Sequence, residues 1–446
     1  MCSKHYLKVL VEQQKNGVPC GIYSACSANE YVIEAVMERA LKDNEYILIE
    51  ATANQVNQFG GYTGMKPADF RDFVYSLASK VNFPLDKIIL GGDHLGPLTW
   101  KNEPAASAMQ KSQELIRQYA LAGFNKIHID TSMNLADDPQ NCQVDTAVIA
   151  ERGAMLCKES EIAFAKFQAV NPKAVHPVYI VGSEVPIPGG SQEREEGLHI
   201  TKAIDFENTV AAFKQAFQLH GLAHTWDHVI GVVVQPGVEF GDETIHEYSR
   251  AAAQELTQAL KKYPGIIFEG HSTDYQTPWV LKEMVEDGIA ILKVGPALTF
   301  AMREGLFALS HMEAELFRYR AEVEQSQFIE VLDSFMARNP ENWRMHYYGD
   351  SAKIRYARKY SFSDRCRYYV PVPEVKDSIN RLMMNLSSVD IPLTLINQFM
   401  PIQYNKIRSG LLNKDPENLL KDRIINCIDD YMYATKLNYR ATTNDS

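Results

Sequence analysis

Asp93 and His94 are the first residues of this sequence whose types and spacing could do acid–base or metal chemistry. Two glycines precede the pair and Leu95-Gly96-Pro97 follows it, so both side chains lie on a tight turn at the end of an apolar run. A neutral imidazole is a good ligand for a divalent ion, and the neighbouring carboxylate can act as acid or base or orient the ring. We therefore expect His94 to bind a metal ion and Asp93 to be catalytic. The alternative is a turn in which both side chains have internal partners.

Two further polar residues close apolar runs and could complete a metal site. His271 lies within Glu269-Gly270-His271-Ser272-Thr273-Asp274, and Glu184 ends Val181-Gly182-Ser183-Glu184. Two imidazoles and a carboxylate with an open position form a catalytic metal site. We expect His94, His271 and Glu184 as ligands, with Glu184 also a candidate catalytic carboxylate. Zinc is the ion expected first, and manganese or another divalent ion is compatible with the same ligand types.

Two glycine-containing loops could bind phosphate. In QFGGYTGM, the backbone at Gly61 and the hydroxyl of Thr63 could approach an anion closely. Gly295 ends the last apolar run just before a helical stretch, a place where barrels commonly bind phosphate. Either loop could instead be only a turn. The sequence contains no GxxxxGK[ST] string, so a nucleotide P-loop is not indicated.

Further candidate contacts to a phosphorylated substrate lie elsewhere in the chain. Asp130 ends the fourth apolar run, and Ser132 follows it. Residues 343–370 are dense in Tyr and Arg, and Arg365 or Arg367 could bind a phosphate because the planar guanidinium matches that group. The alternative is a helical cap whose tyrosines pack on the rest of the fold while its arginines pair with acidic residues.

Eight short apolar runs would bring these scattered residues together. Runs rich in β-branched residues, separated by segments of helical period, are typical of parallel strands buried on both faces, and eight such units predict a (β/α)8 TIM barrel. All strands of a barrel open with their C-terminal ends on one mouth. The runs span residues 21–24, 46–50, 88–94, 126–130, 178–184, 229–235, 265–271 and 290–295. The polar residues expected at the mouth are Asp93, His94, Asp130, Glu184, Gln235 and His271.

The chain is longer than one barrel requires. At 446 residues it exceeds the roughly 250 of a typical barrel, so we predict a barrel over residues 1–319 and a mainly helical extension over 320–446 that covers or flanks it. The segment 185–203, rich in Pro, Gly and charge, is either a mobile lid or subunit contact or a solvated loop. Helices are predicted at about 28–42, from 66, and at 105–122, 145–167, 206–219, 245–262, 278–286 and 298–317.

Composition excludes several classes of partner. A net charge of −11 and a pI of about 5.6 argue against binding to nucleic acid or to an anionic membrane surface, since either needs a basic face. No apolar run approaches the ~18 residues of a membrane span. Seven cysteines, never spaced as CxxC, are typical of reduced thiols, so we expect a cytoplasmic protein.

Several long strings, in order along the chain, resemble the GatZ/KbaZ family, the Z-type subunits of D-tagatose-1,6-bisphosphate aldolase. They are EATANQVNQFGGYTGM, ILGGDHLGP, GSEVPIPGG, VVVQPGVEF, GHSTDYQTP, LKVGPALTFAMREGLF and YSFSDRCRYY. The resemblance implies a barrel related to class II, metal-dependent aldolases and a ketohexose (bis)phosphate as ligand. It also implies an oligomer with a Y-type catalytic subunit, whose activity and stability the Z-type chain supports in galactitol, N-acetylgalactosamine and tagatose catabolism.

The resemblance to class II aldolases also assigns roles. Asp93 matches their acid/base residue and His94 a metal ligand, while Glu184 resembles an acidic residue before a Gly-Gly pair. A later metal histidine falls at Gln235, which thereby becomes a candidate ligand position although an amide replaces the imidazole. Glu184 or Glu269 with His271 could complete a different set of ligands.

Three functions remain open from the sequence. The first is a subunit that supports the Y-type aldolase. The second is an enzyme in its own right, either an aldolase or a 4-epimerase that interconverts fructose 6-phosphate and tagatose 6-phosphate by a retro-aldol mechanism. The third is a structural partner with a relict pocket, suggested by Gln235.

Overall fold

Eight short parallel strands close into a barrel, which confirms the predicted (β/α)8 fold. The computed structural model describes residues 5–139, 142–186 and 199–436. The barrel strands are β1 (Ile22–Ala25), β2 (Ile47–Thr52), β3 (Ile88–Leu95), β4 (Lys126–Ile129), β5 (Val178–Val181), β6 (Val229–Val234), β9 (Ile267–Gly270) and β10 (Ile289–Val294). They pair in the order β1-β10-β9-β6-β5-β4-β3-β2, and β2 closes the barrel against β1.

A helix follows each barrel strand. These eight helices are α2 (Glu30–Asp43), α3 (Pro67–Val81), α4 (Ala105–Leu121), α5 (Thr146–Val170), α6 (Ala203–Leu219), α7 (Gln254–Leu260), α8 (Pro278–Glu286) and α9 (Pro296–Phe317), and α1 (Tyr6–Lys15) precedes β1. Their ends follow local chemistry: Asn29 accepts from the Tyr31 amide to cap α2, and α9 begins at a proline, whose missing N–H costs nothing there.

The segment 245–262 departs from its prediction as one helix. Residues Glu239–Phe240 (β7) and Ile245–His246 (β8) form a small antiparallel hairpin, and α7 begins only at Gln254. The amide of Gly241 donates to the Thr244 carbonyl at 2.9 Å and closes the hairpin. Ile245 therefore pairs with Phe240 in a hairpin and does not begin a helix.

The C-terminal part is helical, as expected, and packs along the barrel. It comprises α10 (Phe328–Arg338), α11 (Ser351–Tyr360), α12 (Pro373–Ser387), α13 (Leu393–Phe399), α14 (Pro401–Arg408) and α15 (Pro416–Thr435). Helix α15 contacts α2, α8, α9 and β1, and its Tyr431 hydroxyl donates to the Thr273 carbonyl at 2.8 Å. The expected division at residue 319 falls between α9 and α10. Among the residues that the structure describes, no helix has the length and hydropathy of a membrane span.

Candidate active site

Three imidazoles and one carboxylate meet at the mouth of the barrel. The rings of His94, His128 and His271 form a nearly equilateral triangle, with centroid separations of 5.0, 4.9 and 5.1 Å. Asp93 joins them, and one ligand atom from each of the four residues lies within 4.8 Å of the others. All four side chains are buried. This donor set matches a site for a divalent metal ion.

A carboxylate holds one nitrogen of each ring. The pairs are His94 Nδ1 with Asp130 Oδ2 (2.7 Å), His128 Nδ1 with Asp93 Oδ1 (2.8 Å) and His271 Nε2 with Glu269 Oε1 (3.0 Å). An acceptor on one nitrogen favours the proton there and leaves the other nitrogen free for an ion. At His128 the His94 amide also lies 3.1 Å from Nδ1, but the charged Asp93 carboxylate is closer and favours the proton on that nitrogen. His128 Nε2 is buried and has no hydrogen-bond partner among the described residues. The residues therefore fit a bound metal ion.

Asp93 is held as an anion. Burial alone would raise its pKa, but the Lys293 ammonium, 2.9 Å from Oδ1, together with His94 and the hydrogen bond from His128, keeps the pKa of Asp93 well below its usual range. Cys26 faces the same carboxylate, with Sγ 4.0 Å from Oδ2. Burial raises the pKa of the Cys26 thiol to about 12, so near neutral pH it is not a thiolate nucleophile.

His271 and His94 have pKa values that are shifted in opposite directions. Burial lowers the pKa of His271 to about 3, despite its bond to Glu269. Burial also opposes protonation of His94, but the charges of Asp93 and Asp130 outweigh it and raise the pKa of His94. Asp130 has a pKa of about 2, since burial is outweighed by the hydrogen bond and charge of His94. His271 is therefore neutral and can offer a ring nitrogen to a metal ion. At His94, by contrast, a metal ion competes with a proton.

A layer of ion pairs lies inside the barrel below this cluster. Lys126, which has no exposed surface, contacts Glu50 at 2.8 Å and Glu269 at 2.7 Å. Lys293 contacts Glu50 at 2.9 Å and continues the chain of charges to Asp93. Each buried charge has an opposite neighbour, as burial of charge requires. The layer fixes the Glu269 and Asp93 carboxylates that hold two of the imidazoles.

Close packing around the Gly-Gly-Asp-His-Leu-Gly-Pro string requires glycine at two of its positions. A Cβ on Gly91 would lie 2.5 Å from Cγ of Glu50, and one on Gly96 would lie 1.7 Å from the carbonyl oxygen of Asp130. His94 itself has a positive φ of 49°, an uncommon conformation for a residue other than glycine. The glycines thus admit the buried Glu50 and allow β3 to approach Asp130, which positions His94.

His128 is the functional candidate that sequence reasoning missed. It lies in β4, two residues before Asp130, and the side chains of alternate strand residues point to the same face. The string Lys126-Ile127-His128-Ile129-Asp130 therefore carries a signal: its three polar residues alternate with two apolar ones. The third imidazole comes from β4 and not from the end of β6.

Glu184 and Gln235 lie outside the cluster of four. Glu184 accepts a hydrogen bond from the Thr201 hydroxyl at 2.6 Å. The side-chain oxygen of Gln235 accepts from the amides of Gly237 (2.9 Å) and Val238 (3.0 Å), so it closes the turn after β6. The 187–198 part of the expected lid, including Gly189 and Gly190, is outside the described residues.

The expected phosphate loops have internal hydrogen-bond partners. The amide of Gly61 donates to Asn57 Oδ1 at 3.1 Å, and the Thr63 hydroxyl donates to the Gln55 carbonyl at 2.7 Å. The Gly295 amide donates to a carboxylate oxygen of Asp274 at 3.1 Å. Ser132 likewise donates its hydroxyl to Asp130 at 2.7 Å. All four groups are therefore engaged within the fold.

Arg367 and Tyr368 reach the cleft from the C-terminal part. They line an open cleft together with Asp93, His94 and His271. Arg367 donates to the Asp364 carbonyl at 2.9 Å and to the Tyr368 hydroxyl at 3.1 Å. In the described part of the chain it forms no ion pair with a carboxylate. Its charge is therefore available to an anion in the cleft.

Arg365 takes a different position. It donates to the Asn342 carbonyl at 2.8 Å and to the Tyr368 hydroxyl at 3.3 Å, and it is not among the residues that line the cleft. Burial raises the pKa of Tyr368, but the two guanidinium groups outweigh this effect, so the pKa is lowered. Arg365 thus adds positive charge behind Arg367.

The Arg367 segment is anchored to α9. Asp364 has a positive φ of 47°, accepts a hydrogen bond from the Thr299 hydroxyl and lies 3.5 Å from Nε of Arg303. The Arg303 guanidinium in turn lies 4.0 Å from the centre of the Phe300 ring. The Tyr-Arg-rich string therefore covers the mouth of its own barrel, a point that the sequence left open.

Known proteins match this chain over nearly its full length. The family model described as D-tagatose-1,6-bisphosphate aldolase subunit GatZ/KbaZ-like matches residues 7–436. A protein of Salmonella newport named D-tagatose-1,6-bisphosphate aldolase subunit GatZ is 45% identical over 428 residues, which cover 96% of this chain and 99% of that protein. A crystal structure from Sinorhizobium meliloti 1021, described as a probable tagatose 6 phosphate kinase, has 43% identity and a TM-score of 0.84, covering 93% of this chain and all of the other.

Proposed function

This chain belongs to the GatZ/KbaZ-like family of D-tagatose-1,6-bisphosphate aldolase subunits, and on that basis we propose that it functions as such a subunit. The single observation that supports this most strongly is the match of family and relatives over nearly the full length. The partner would be a Y-type catalytic subunit in a hetero-oligomer. The setting implied by the family is galactitol, N-acetylgalactosamine and tagatose breakdown in the cytoplasm.

The proposal includes a divalent metal ion held by His94, His128 and His271. The three rings surround one point, a carboxylate orients each of them, and the open side of the cluster faces the cleft. Three histidines with an open position are a common catalytic arrangement for zinc, and other divalent ions also accept imidazole. Glu184 and Gln235, expected as ligands from the sequence, are engaged elsewhere, and we place His128 in the site instead.

The chemistry that the metal would supply is polarisation of a ketose carbonyl and stabilisation of the negative charge that develops beside it. Asp93 would accept the proton of the C4 hydroxyl, because its low pKa keeps it anionic near neutral pH. Lys293 and His128 hold Oδ1, which leaves Oδ2, beside the Cys26 thiol, as the proton acceptor. Arg367 would bind phosphate, and its segment would exclude water from the mouth.

A second candidate function follows from the same cluster. The acid/base carboxylate, the three imidazoles and Arg367 all come from one chain and line or adjoin one cleft. If the aldehyde product rotates before the C3–C4 bond re-forms, Asp93 returns its proton and C4 is inverted. The isolated chain would then be a 4-epimerase of fructose 6-phosphate and tagatose 6-phosphate, or an aldolase by itself.

One set of assays tests both candidates. The Y-type subunit is assayed for tagatose-1,6-bisphosphate cleavage alone, with the wild-type chain, with Asp93→Asn and with Asp86→Asn, an exposed control. We expect the wild type and the control to raise activity and to co-purify with the partner. No stimulation and no complex would contradict the subunit role.

The isolated chain is assayed in parallel with fructose 6-phosphate and tagatose 6-phosphate. Turnover that Asp86→Asn keeps and Asp93→Asn loses would support an enzyme in its own right. Full stimulation of the partner by Asp93→Asn, without turnover by the isolated wild type, would contradict that second candidate.

A further inference from the structure

The N-terminus of α9 already contains a carboxylate. One side-chain oxygen of Asp274 accepts hydrogen bonds from the amides of Gly295 (3.1 Å) and Ala297 (2.8 Å). Asp274 lies in the loop after β9, the seventh barrel strand, and the two amides follow β10, the eighth. In barrels this place commonly binds a substrate phosphate through such amides and the positive end of a helix.

The carboxylate is fixed there from both sides. The Thr273 hydroxyl donates to the Lys293 carbonyl at 2.7 Å, and the Tyr275 hydroxyl donates to the Phe362 carbonyl at 2.5 Å. Asp274 is 3% exposed and lines the same cleft as the histidine cluster. A phosphate could reach these amides only if a firmly held side chain moved away.

The negative charge of Asp274 also opposes the binding of a phosphate at the start of α9. Among the cleft-lining residues Arg367 is close enough to stabilise the Asp274 anion, but the two side chains form no ion pair. Burial raises the pKa of Asp274 to about 6, against the effect of the two amides, so the group is mainly anionic above that pH. A phosphate dianion placed against it would meet a like charge in a partly dry site.

We propose that Asp274 makes this cleft selective for a ketose monophosphate. Its carboxylate fills the anion position at the start of α9, so the substrate end beside Gly295 carries a hydroxyl, and the single phosphate lies at Arg367. This inference rests on the proposed function in one respect, namely that the cleft binds a sugar phosphate. Within the aldolase complex, the bisphosphate would then be handled by the partner and not by this cleft.

A second cavity offers room for the single phosphate. It adjoins the cleft, shares Arg367, Tyr62 and Gln55 with it, and also contains Lys376. A substrate bound at the histidine cluster can therefore extend past Arg367, away from Asp274. Lys376 lies 3.8 Å from the carboxylate of Glu30, which lines the same cavity, so Arg367 supplies the excess positive charge on this side. Negative charge lies at the start of α9, and this difference sets the direction of the sugar.

The test uses two substitutions in the full-length chain. Asp274→Asn removes the charge and retains an acceptor for the amides, whereas Asp274→Ser also opens the position. Asp430→Asn is the matched control, because burial raises the pKa of that carboxyl to about 6 as well but it does not line the cleft. Binding of inorganic phosphate, tagatose 6-phosphate and tagatose-1,6-bisphosphate is measured by calorimetry, and thermal melting verifies folding.

We expect phosphate affinity to rise from wild type to Asp274→Asn to Asp274→Ser, by at least about tenfold overall, which is 1.4 kcal/mol. The wild type should bind the monophosphate at least about tenfold more tightly than the bisphosphate, and Asp274→Ser should reduce that preference. Equal wild-type affinities for the two sugars, or unchanged phosphate affinity in the folded variants, would overturn the inference. If Asp274→Ser fails to fold, Asp274→Asn decides.

The two proposals can fail separately. Gain of inorganic phosphate binding in the variants, with no sugar phosphate bound by the wild type, would support the role of Asp274 in excluding an anion and contradict the sugar-phosphate cleft. Stimulation of the Y-type subunit is an independent measurement and does not depend on Asp274.

Discussion

At the scale of single residues, the site is built from pairs. Each imidazole of the cluster has its own carboxylate. Each carboxylate also has a second partner, which is Ser132 for Asp130, Lys293 for Asp93 and Lys126 for Glu269. Sequence reasoning found His94 and His271 because each ends an apolar run, where chemistry in a barrel is expected. It missed His128, which lies inside a run and looks like part of a buried strand. It placed a ligand at Gln235, whose amide oxygen instead closes a turn.

Asp130→Asn tests whether the paired carboxylates orient the rings. Loss of the charged acceptor of His94 Nδ1 should weaken metal binding by about 10–100-fold, since such partners fix the tautomer and raise the basicity of the ligand. Affinity is measured by competition with a chromogenic chelator. Ser132→Ala, which removes one hydrogen bond to the other oxygen of Asp130, is the control and should change affinity much less. Equal affinity in wild type and Asp130→Asn would contradict this role.

Lys126→Met tests the charged layer below the cluster. The substitution removes the lysine partner of Glu269 and leaves Glu50 to Lys293, so the dry layer carries an uncompensated negative charge. The free energy of unfolding should therefore fall by about 3–5 kcal/mol. Urea unfolding followed by fluorescence measures the change. Lys262→Met breaks an exposed pair with Glu207, and it should cost no more than about 1 kcal/mol. Similar losses in both variants would show that burial of the layer does not matter.

At the scale of elements, the sequence predicts the alternation of strands and helices but not the structure of the segments that connect them. The eight buried runs became the eight barrel strands because their apolar faces have no alternative to burial. The prediction of one helix over 245–262 was wrong because β8 pairs with β7. A helix is predicted from the spacing of apolar residues within one segment, and that spacing contains no information about pairing with another segment. In the same way, the anchoring of Asp364 on α9 joins residues 65 positions apart.

Helix α1 is predicted to make stability depend on pH. His5 caps it by accepting from the Leu7 amide, and its other nitrogen donates to the Asn125 carbonyl, so burial holds the pKa of His5 at about 4. The unfolded chain, with a histidine pKa of about 6.5, binds the proton first. The stability that depends on neutral His5 is therefore fully present above about pH 6.5. It is lost as the pH falls towards 4, by up to about 1.4 kcal/mol per pH unit.

The measurement is the midpoint of urea unfolding at several pH values between 4 and 7.5. His5→Asn retains a capping side chain and removes the titrating ring, so its midpoint should change less with pH than that of the wild type. Burial also lowers the pKa of His228 and His346 to about 4 and that of His271 to about 3, so a slope of the same sign should remain in His5→Asn. Parallel curves for wild type and His5→Asn would contradict the assignment.

At the scale of the whole molecule, the chain completes its own cleft. The barrel supplies the imidazoles and the Asp93 carboxylate, and the C-terminal part supplies Arg367 and Tyr368 to the same space. Family resemblance predicted the extent of the fold, because long strings are shared in order along the chain. It could not predict which imidazoles converge, since convergence depends on strand register across the closed barrel.

The central claim is that three imidazoles from β3, β4 and the end of β9 hold one divalent metal ion. Its most direct test is the metal content of the purified chain, measured by elemental analysis, for the wild type and for His94→Ala, His128→Ala and His271→Ala, with the exposed His224→Ala as control. We predict one equivalent of a divalent metal, zinc first among the candidates, in the wild type and the control, and a large loss in each of the other three variants. A wild type that binds no divalent metal after reconstitution, or a His128→Ala variant that retains a full equivalent, would contradict the claim.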